Sequence, residues 1–256
     1  MKKPLILVSN DDGITAPGIR NLVDAVKDLG EVVVVAPDSP QSAMGHAVTI
    51  HKPLRLEKTD LYGDIQSYKC SGTPVDCVKL AVDKVLHRKP DLMVSGINHG
   101  SNSSINILYS GTMSAAIEAA IEGMPAVGFS LSDFAYDADF SLAKRIAKTI
   151  ASNIIKNGLP MATLLNVNIP KVSEENFQGI RICRQANAKW MEEFDERKDP
   201  NGKNYYWLTG KFVNQDKGDD TDEWALANNY ASVVPVHFDL TAHHAIPVLN
   251  SWNFIL

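Results

Sequence analysis

Leu5-Ile6-Leu7-Val8-Ser9-Asn10-Asp11-Asp12-Gly13 is the stretch from which the fold of this chain can be read. Its apolar run is too short for a core helix and fits a strand buried on both faces, and Asn-Asp-Asp-Gly is turn chemistry that ends it. Two adjacent carboxylates therefore stand at the carboxyl end of a first strand. A lone aspartate there ordinarily caps the next helix. A neighbouring pair asks for more, because two ionised carboxylates repel and need a cation, donors or a shared proton.

Moving outward, Pro17-Gly18 opens a segment with Ile19, Leu22, Val23, Val26 and Leu29 on one helical face, closed by Gly30. Val32 to Ala36 is a β-branched run, so residues 4–36 form a βαβ unit with parallel strands. The polar loop 37–46 then lies on the same sheet edge as the Asp11 turn. Residues 47–70, broken by Pro53 and Gly63, are expected to give short antiparallel strands beside the main sheet. A helix from Pro74 and a strand at Asp91-Leu92-Met93-Val94 lead into a third polar loop, residues 95–102. Ser110-Gly111-Thr112 precedes a helix over 113–122, and a strand over 125–131, a helix over 142–155 and a strand over 163–169 follow. Beyond residue 180 the alternation stops. Ile180 to Cys183 reads as a strand, and Asp199-Pro200-Asn201-Gly202, flanked by Trp190 and Tyr205-Tyr206-Trp207, is the turn of a protruding hairpin. Asp220-Thr221-Asp222 caps a short helix, 231–237 is a strand and 245–256 a tail.

With 256 residues, 45% of them hydrophobic, the chain has material for one main core. A formal charge of −5 argues against a broad surface for duplex nucleic acid. No run reaches bilayer length, and the apolar stretch after Lys2 and Lys3 is too short for a secretory signal. Cys70, Cys77 and Cys183 lack zinc spacing and read as buried thiols. A cytoplasmic protein that does not bind membranes is expected.

In open α/β sheets the ligand sits beyond the carboxyl ends of the strands, where strand order reverses. Three loops meet that description, and they carry Asn10, Asp11 and Asp12; Ser39, Ser42 and His46; Asn98 and Asn102. Carboxylate, amide and hydroxyl oxygens suit one hard divalent cation, Mg²⁺, Mn²⁺ or Ca²⁺. Ser110-Gly111-Thr112 at a helix start offers backbone N–H groups and hydroxyls to a phosphate. Taken alone, that tripeptide is better read as an ordinary Ser/Thr cap with a glycine for close packing, and only its company with the metal loops favours the phosphate.

Ser9-Asn10-Asp11-Asp12-Gly13-Ile14 with Ala16-Pro17-Gly18, Ala36-Pro37-Asp38 with Ser42-Ala43 and Gly45, Ser71-Gly72-Thr73-Pro74, Ser95-Gly96-Ile97-Asn98-His99-Gly100 and Tyr109-Ser110-Gly111-Thr112 closely resemble the SurE family of stationary-phase survival nucleotidases. The resemblance resumes in Leu165 to Pro170, in Thr221-Asp222 and in Asp239 to Ala242. It implies a metal-dependent phosphomonoesterase acting on nucleoside 5′- and often 3′-monophosphates, with short polyphosphate as a further substrate. It also implies metal ligands at Asp11, Asp12, Ser42 and Asn98, one Mg²⁺ or Mn²⁺ per subunit, and active-site surroundings at Asn10, Asn102, Ser110, Gly111 and Thr112. His46 and His99 are read as neighbours. A homodimer or homotetramer through exchanged carboxyl-terminal elements is implied too, with Trp190, Tyr205 to Trp207 and residues 221–256 at the interface. His243-His244 is read as a surface or interface pair and assigned no metal.

The expected architecture is thus a Rossmann-like, three-layer, doubly wound α/β fold with a mostly parallel sheet. Residues 1–180 form the catalytic domain and 181–256 a hairpin arm and oligomerisation segment. In it, Asp11 and Asp12 are the catalytic candidates, with Asp11 activating water or, in competition, carrying a covalent phosphoryl group. A Mg²⁺-dependent phosphoacceptor or nucleotide sensor is the alternative from another class, although such modules are smaller. A dinucleotide-dependent oxidoreductase lacks its Gly-x-Gly-x-x-Gly turn.

Overall fold

The computed structural model describes residues 3–254; Lys2 and the last two residues of the expected tail, 255 and 256, lie outside the described residues. Leu5–Ser9 (β1), wholly buried, is the fourth strand across a nine-stranded sheet, in its interior. The helix α1 (Pro17–Val26) leads to β2 (Glu31–Pro37), parallel to β1 on one side. After β3 (Leu56–Thr59), β4 (Gln66–Cys70) and α2 (Pro74–Leu80), the chain crosses to the other side of β1 as β5 (Leu92–His99). Strand order therefore reverses at β1, and the carboxyl ends of β1 and β5 frame the crevice of a doubly wound sheet. α3 (Gly111–Ile121), β6 (Ala126–Leu131), α4 (Ser141–Asn157) and β7 (Thr163–Ile169) continue the parallel body.

The sheet runs across residue 180. β8 (Gly179–Ile182) is the edge strand opposite β3, and β11 (Tyr230–His237) inserts between it and β7, antiparallel to β7 and parallel to β8. What leaves the sheet is the hairpin of β9 (Ala188–Lys198) and β10 (Asn204–Asn214), turned at Asp199 to Lys203. The short helix α5 (Asp222–Ala227) packs on β11, and α6 (Ile246–Asn250) is the last helix of the described residues.

Two apolar layers sandwich the sheet. Alternate side chains of β1 divide between them: Ile6 and Val8 join α1 and α4 on one face, Leu5 and Leu7 join α2 and α3 on the other. No helix of the described residues is long and apolar enough to cross a membrane. All three cysteines are buried free thiols.

Two local expectations change. Only 56–59 and 66–70 of the 47–70 segment are strands, and although they pair antiparallel, β4 itself joins the sheet parallel to β2. Residues 47–55 stay outside because Pro53 removes a ladder donor and α2 recruits the backbone there, with Thr73 Oγ1 donating to Ala47 O at 2.7 Å and Thr49 N–H to Asp76 at 3.1 Å. The strand at 91–94 also runs on to His99 through a bulge between Ser95 and Asn98. That bulge aims the end of β5 into the crevice, and α1 fits against it only because residue 18 is glycine. A Cβ on Gly18 would lie 1.9 Å from Ile97 O. Gly18→Ala is expected to lower stability by about 1–3 kcal/mol, read from the urea midpoint; an unchanged midpoint would contradict this packing.

Candidate active site

The turn after β1 is built by Asn10, whose side-chain amide donates to Gly13 O at 2.9 Å. Gly13, at φ +93°, takes a conformation open to glycine without strain. Asp11 is 5% exposed and Asp12 half-buried. The Asp11 carboxylate accepts from the Thr112 hydroxyl and lies by the Thr112 backbone N–H. Burial, and next the charge of Asp12, nonetheless push its carboxyl up to about 6. Burial raises Asp12 as well, opposed by the His99 N–H, 3.5 Å from its Oδ2.

The loop after β2 is tied to this turn. Gln41 N–H donates to Asp11 O and Ile14 N–H to Pro37 O, both at 2.8 Å, so Ser42 is carried to the Asp11 side. The loop's far end is held by Gly45 N–H on Tyr109 O at 3.3 Å and by His46 Nε2, 2.9 Å from Glu118 Oε2. Glu118, on α3, is 2% exposed and also takes Lys79 of α2. Burial would raise its carboxyl, but donation from His46 and Lys79 holds it below the usual range. At the end of β5, Asn98 donates its amide protons to His99 O and Gly100 O at 3.2 and 2.9 Å, which leaves Oδ1 as the atom for a ligand.

Ser110 caps α3 by accepting Met113 N–H at 3.1 Å. A Cβ on Gly111 would lie 2.6 Å from Asp11 Cβ, so glycine lets the helix start abut the carboxylate. Both hydroxyls of the expected phosphate cradle are thus engaged, one capping the helix and one on Asp11. The positive end of α3 is directed at Asp11 itself. Asn102 is buried, its N–H donating to Asn168 Oδ1 at 2.7 Å and its amide to Ser130 Oγ at 2.8 Å.

One cavity of about 680 Å³ is lined by Asp11, Asp12, Ser42, Asn98, Asn102 and Ser110. Asn10, Gly111 and Thr112 do not line it; they support it from behind. The cavity wall also includes Trp190 and Glu223, both within the stretches that sequence reading assigns to an interface, and Phe212, which it passes over. Asp222, buried, joins this part to the centre by accepting Ser104 N–H at 2.7 Å and Ala186 N–H at 2.9 Å. A signal for this scaffold was present in Asn166 and Asn168, amides interrupting an apolar strand. The hairpin residues carried no comparable mark.

The four candidate ligands, Asp11, Asp12, Ser42 and Asn98, offer oxygen atoms, the lining also holds the His99 imidazole, and Asn10 Oδ1 nearby is a buried acceptor with no donor partner in the described chain. That chemistry fits a hard cation. No group of three or more His, Cys, Asp or Glu side chains is placed to hold a metal among the described residues, so amide and hydroxyl must complete any shell begun by the two aspartates. Without a cation the pair destabilises the fold. Because the folded chain keeps the Asp11 proton to about pH 6, stability falls as pH rises from about 4 through 6. Asp11→Asn is therefore expected to stabilise protein prepared in chelator by on the order of 2 kcal/mol at pH 7, a gap that closes toward pH 4 in denaturant titrations; equal midpoints at pH 7 would contradict it.

The chain matches the family described as Survival protein SurE over residues 6–192. It is 64% identical over 254 residues to the 5'-nucleotidase SurE of Christiangramia forsetii, covering 98% of each chain. It is 46% identical over 253 residues to that of Bacteroides fragilis, again 98% of each. The crystal structure of SurE protein from Aquifex aeolicus superposes with a TM-score of 0.84 at 39% identity, covering 96% of this chain and 98% of that one. A match of this extent shows that the chain belongs to the SurE family.

Proposed function

We propose that the protein is a metal-dependent phosphomonoesterase that hydrolyses nucleoside 5′-monophosphates to nucleoside and phosphate. Nucleoside 3′-monophosphates and the end groups of short polyphosphate are further substrates of the same site. The observation that carries this reading is the convergence of Asp11, Asp12, Ser42 and Asn98 on one cavity at the reversal of strand order. The activity in the names of its relatives supports it.

In this reading Asp11, Asp12, Ser42 and Asn98 hold one Mg²⁺ or Mn²⁺ per subunit. When bound, the cation neutralises phosphoryl oxygens and lowers the pKa of water. The protein otherwise positions. Thr112 fixes one oxygen of Asp11, leaving the other to orient and deprotonate the water attacking phosphorus. Asn98 Oδ1 and Ser42 would hold the cation beside it, and Gln41 and the Glu118 contacts keep the Ser42 loop from drifting. Phosphate release from AMP is expected with Mg²⁺ or Mn²⁺, abolished by chelator and restored by the metal. Asp11→Asn is expected to lose about 100-fold or more in kcat, and retained activity in that variant would overturn the assignment. Oxygen-18 solvent label in the phosphate, with no trapped acyl-phosphate, is expected for direct attack by water.

We further propose a homodimer or homotetramer in the cytoplasm. In the hairpin register, Phe194 pairs with Leu208 on the same face as Trp190 and Phe212, and both are about two-thirds exposed. This hairpin face, and separately the exposed Trp252 and Phe254 on the tail, are apolar surfaces that a second copy of the chain would cover. Phe194→Ser combined with Leu208→Ser is expected to lower the mass measured by light scattering; an unchanged mass would remove the hairpin from the contact.

A further inference from the structure

We propose that Trp190, Phe212 and Glu223 form a nucleoside subsite in the cavity that contains Asp11, with the indole stacking the base and the carboxylate accepting from ribose hydroxyls. This rests on the phosphomonoesterase reading for the identity of the other end of the substrate. At about 680 Å³ the cavity far exceeds what a phosphate group fills and falls in the range of whole small-molecule sites.

The added wall comes from outside the parallel body and is held rigidly. Trp190 Nε1–H donates to Asn106 Oδ1 at 2.8 Å, pinning the indole edge to the turn that precedes Ser110. Phe212, its cross-strand partner, packs at 5.4 Å between ring centroids and 59° between planes. With its polar edge satisfied and its side chain still 45% exposed, Trp190 presents a fixed π-surface to the cavity. A planar heteroaromatic ring is the ligand such a surface selects.

Glu223 supplies the second half. Its carboxylate accepts the Ser103 hydroxyl, and its neighbour Asp222 is fixed by three backbone N–H groups, from Ser104, Ala186 and Glu223 itself. A positioned carboxylate on this wall repels phosphate and welcomes hydroxyl donors. A base bearing a ribose satisfies both groups, whereas polyphosphate gains nothing from the indole and is opposed by Glu223. The subsite therefore ranks nucleotides above polyphosphate and above sugar phosphates without a base.

Titration of the full-length protein with adenosine tests the subsite without turnover. Trp190→Ala is expected to weaken adenosine binding by about tenfold or more, and Trp190→Phe to retain most of the affinity. Glu223→Gln is expected to weaken adenosine more than 2′,3′-dideoxyadenosine. Unchanged adenosine affinity in Trp190→Ala would overturn the base contact, and equal losses for the two nucleosides in Glu223→Gln would overturn the ribose contact. In turnover, the ratio of kcat/KM for AMP over ribose 5-phosphate is expected to fall toward one in Trp190→Ala, and a preserved ratio counts against the base contact. Phosphate released from neither ester by the unsubstituted protein would instead sink the phosphomonoesterase reading, leaving the adenosine titration to decide the subsite. Circular dichroism checks folding, and Trp190→Leu, apolar but without a π-face, replaces Trp190→Ala if that variant unfolds.

Discussion

A carboxylate buried at the end of the first strand, inside the sheet, is the constraint around which this molecule is arranged. Removing Asp11 from water is costly unless donors or countercharge replace the lost hydration. The chain supplies donors from a helix more than a hundred residues away in sequence. The amino end of α3 is brought against Asp11 by a glycine that leaves room for it and a threonine that donates to it. Even so its proton is held more tightly than in an ordinary aspartic acid. That residual imbalance, sharpened by Asp12, is what an incoming cation would relieve.

Two further buried acids make the arrangement stiff. Glu118 clasps the Ser42 loop to α3 through His46 and to α2 through Lys79. Asp222 clasps the 101–104 segment to the carboxyl-terminal part, while Asn166 and Asn168 hold the same segment from β7. Each is a long-range polar contact inside an otherwise apolar body, with its groups satisfied, and such networks specify one arrangement more than they add stability. The loops on the sheet edge thus behave as a single block.

Much of this was legible in the sequence because its physics is local. The buried run Leu5 to Val8, the alternation of helix and strand periods and the Asp-Pro-Asn-Gly turn each act through neighbours along the chain, and the sheet, its layers and the hairpin followed from them. Asp11, Asp12, Ser42, Asn98, Asn102 and Ser110 do meet at one cavity. Less legible were contacts set by register in space. The parallel pairing of β4, the insertion of β11 between β7 and β8, and the use of Thr112 as a donor to Asp11 depend on partners no short window contains. Trp190 looked like an arm residue because exposure is written in composition, whereas the cavity it faces is written in topology.

The position of β11 bears on how the protein is made. β8 has one neighbour in the sheet, and that neighbour emerges from the ribosome roughly fifty residues later, about 2–10 s at ordinary elongation rates. Through that interval the nascent chain exposes the flank of β7 and the unpaired β8, and the aromatic hairpin emerges after them, ahead of β11. The last stretch of synthesis therefore closes the sheet, and a chain stalled before residue 230 presents an open strand edge to whatever lies nearby.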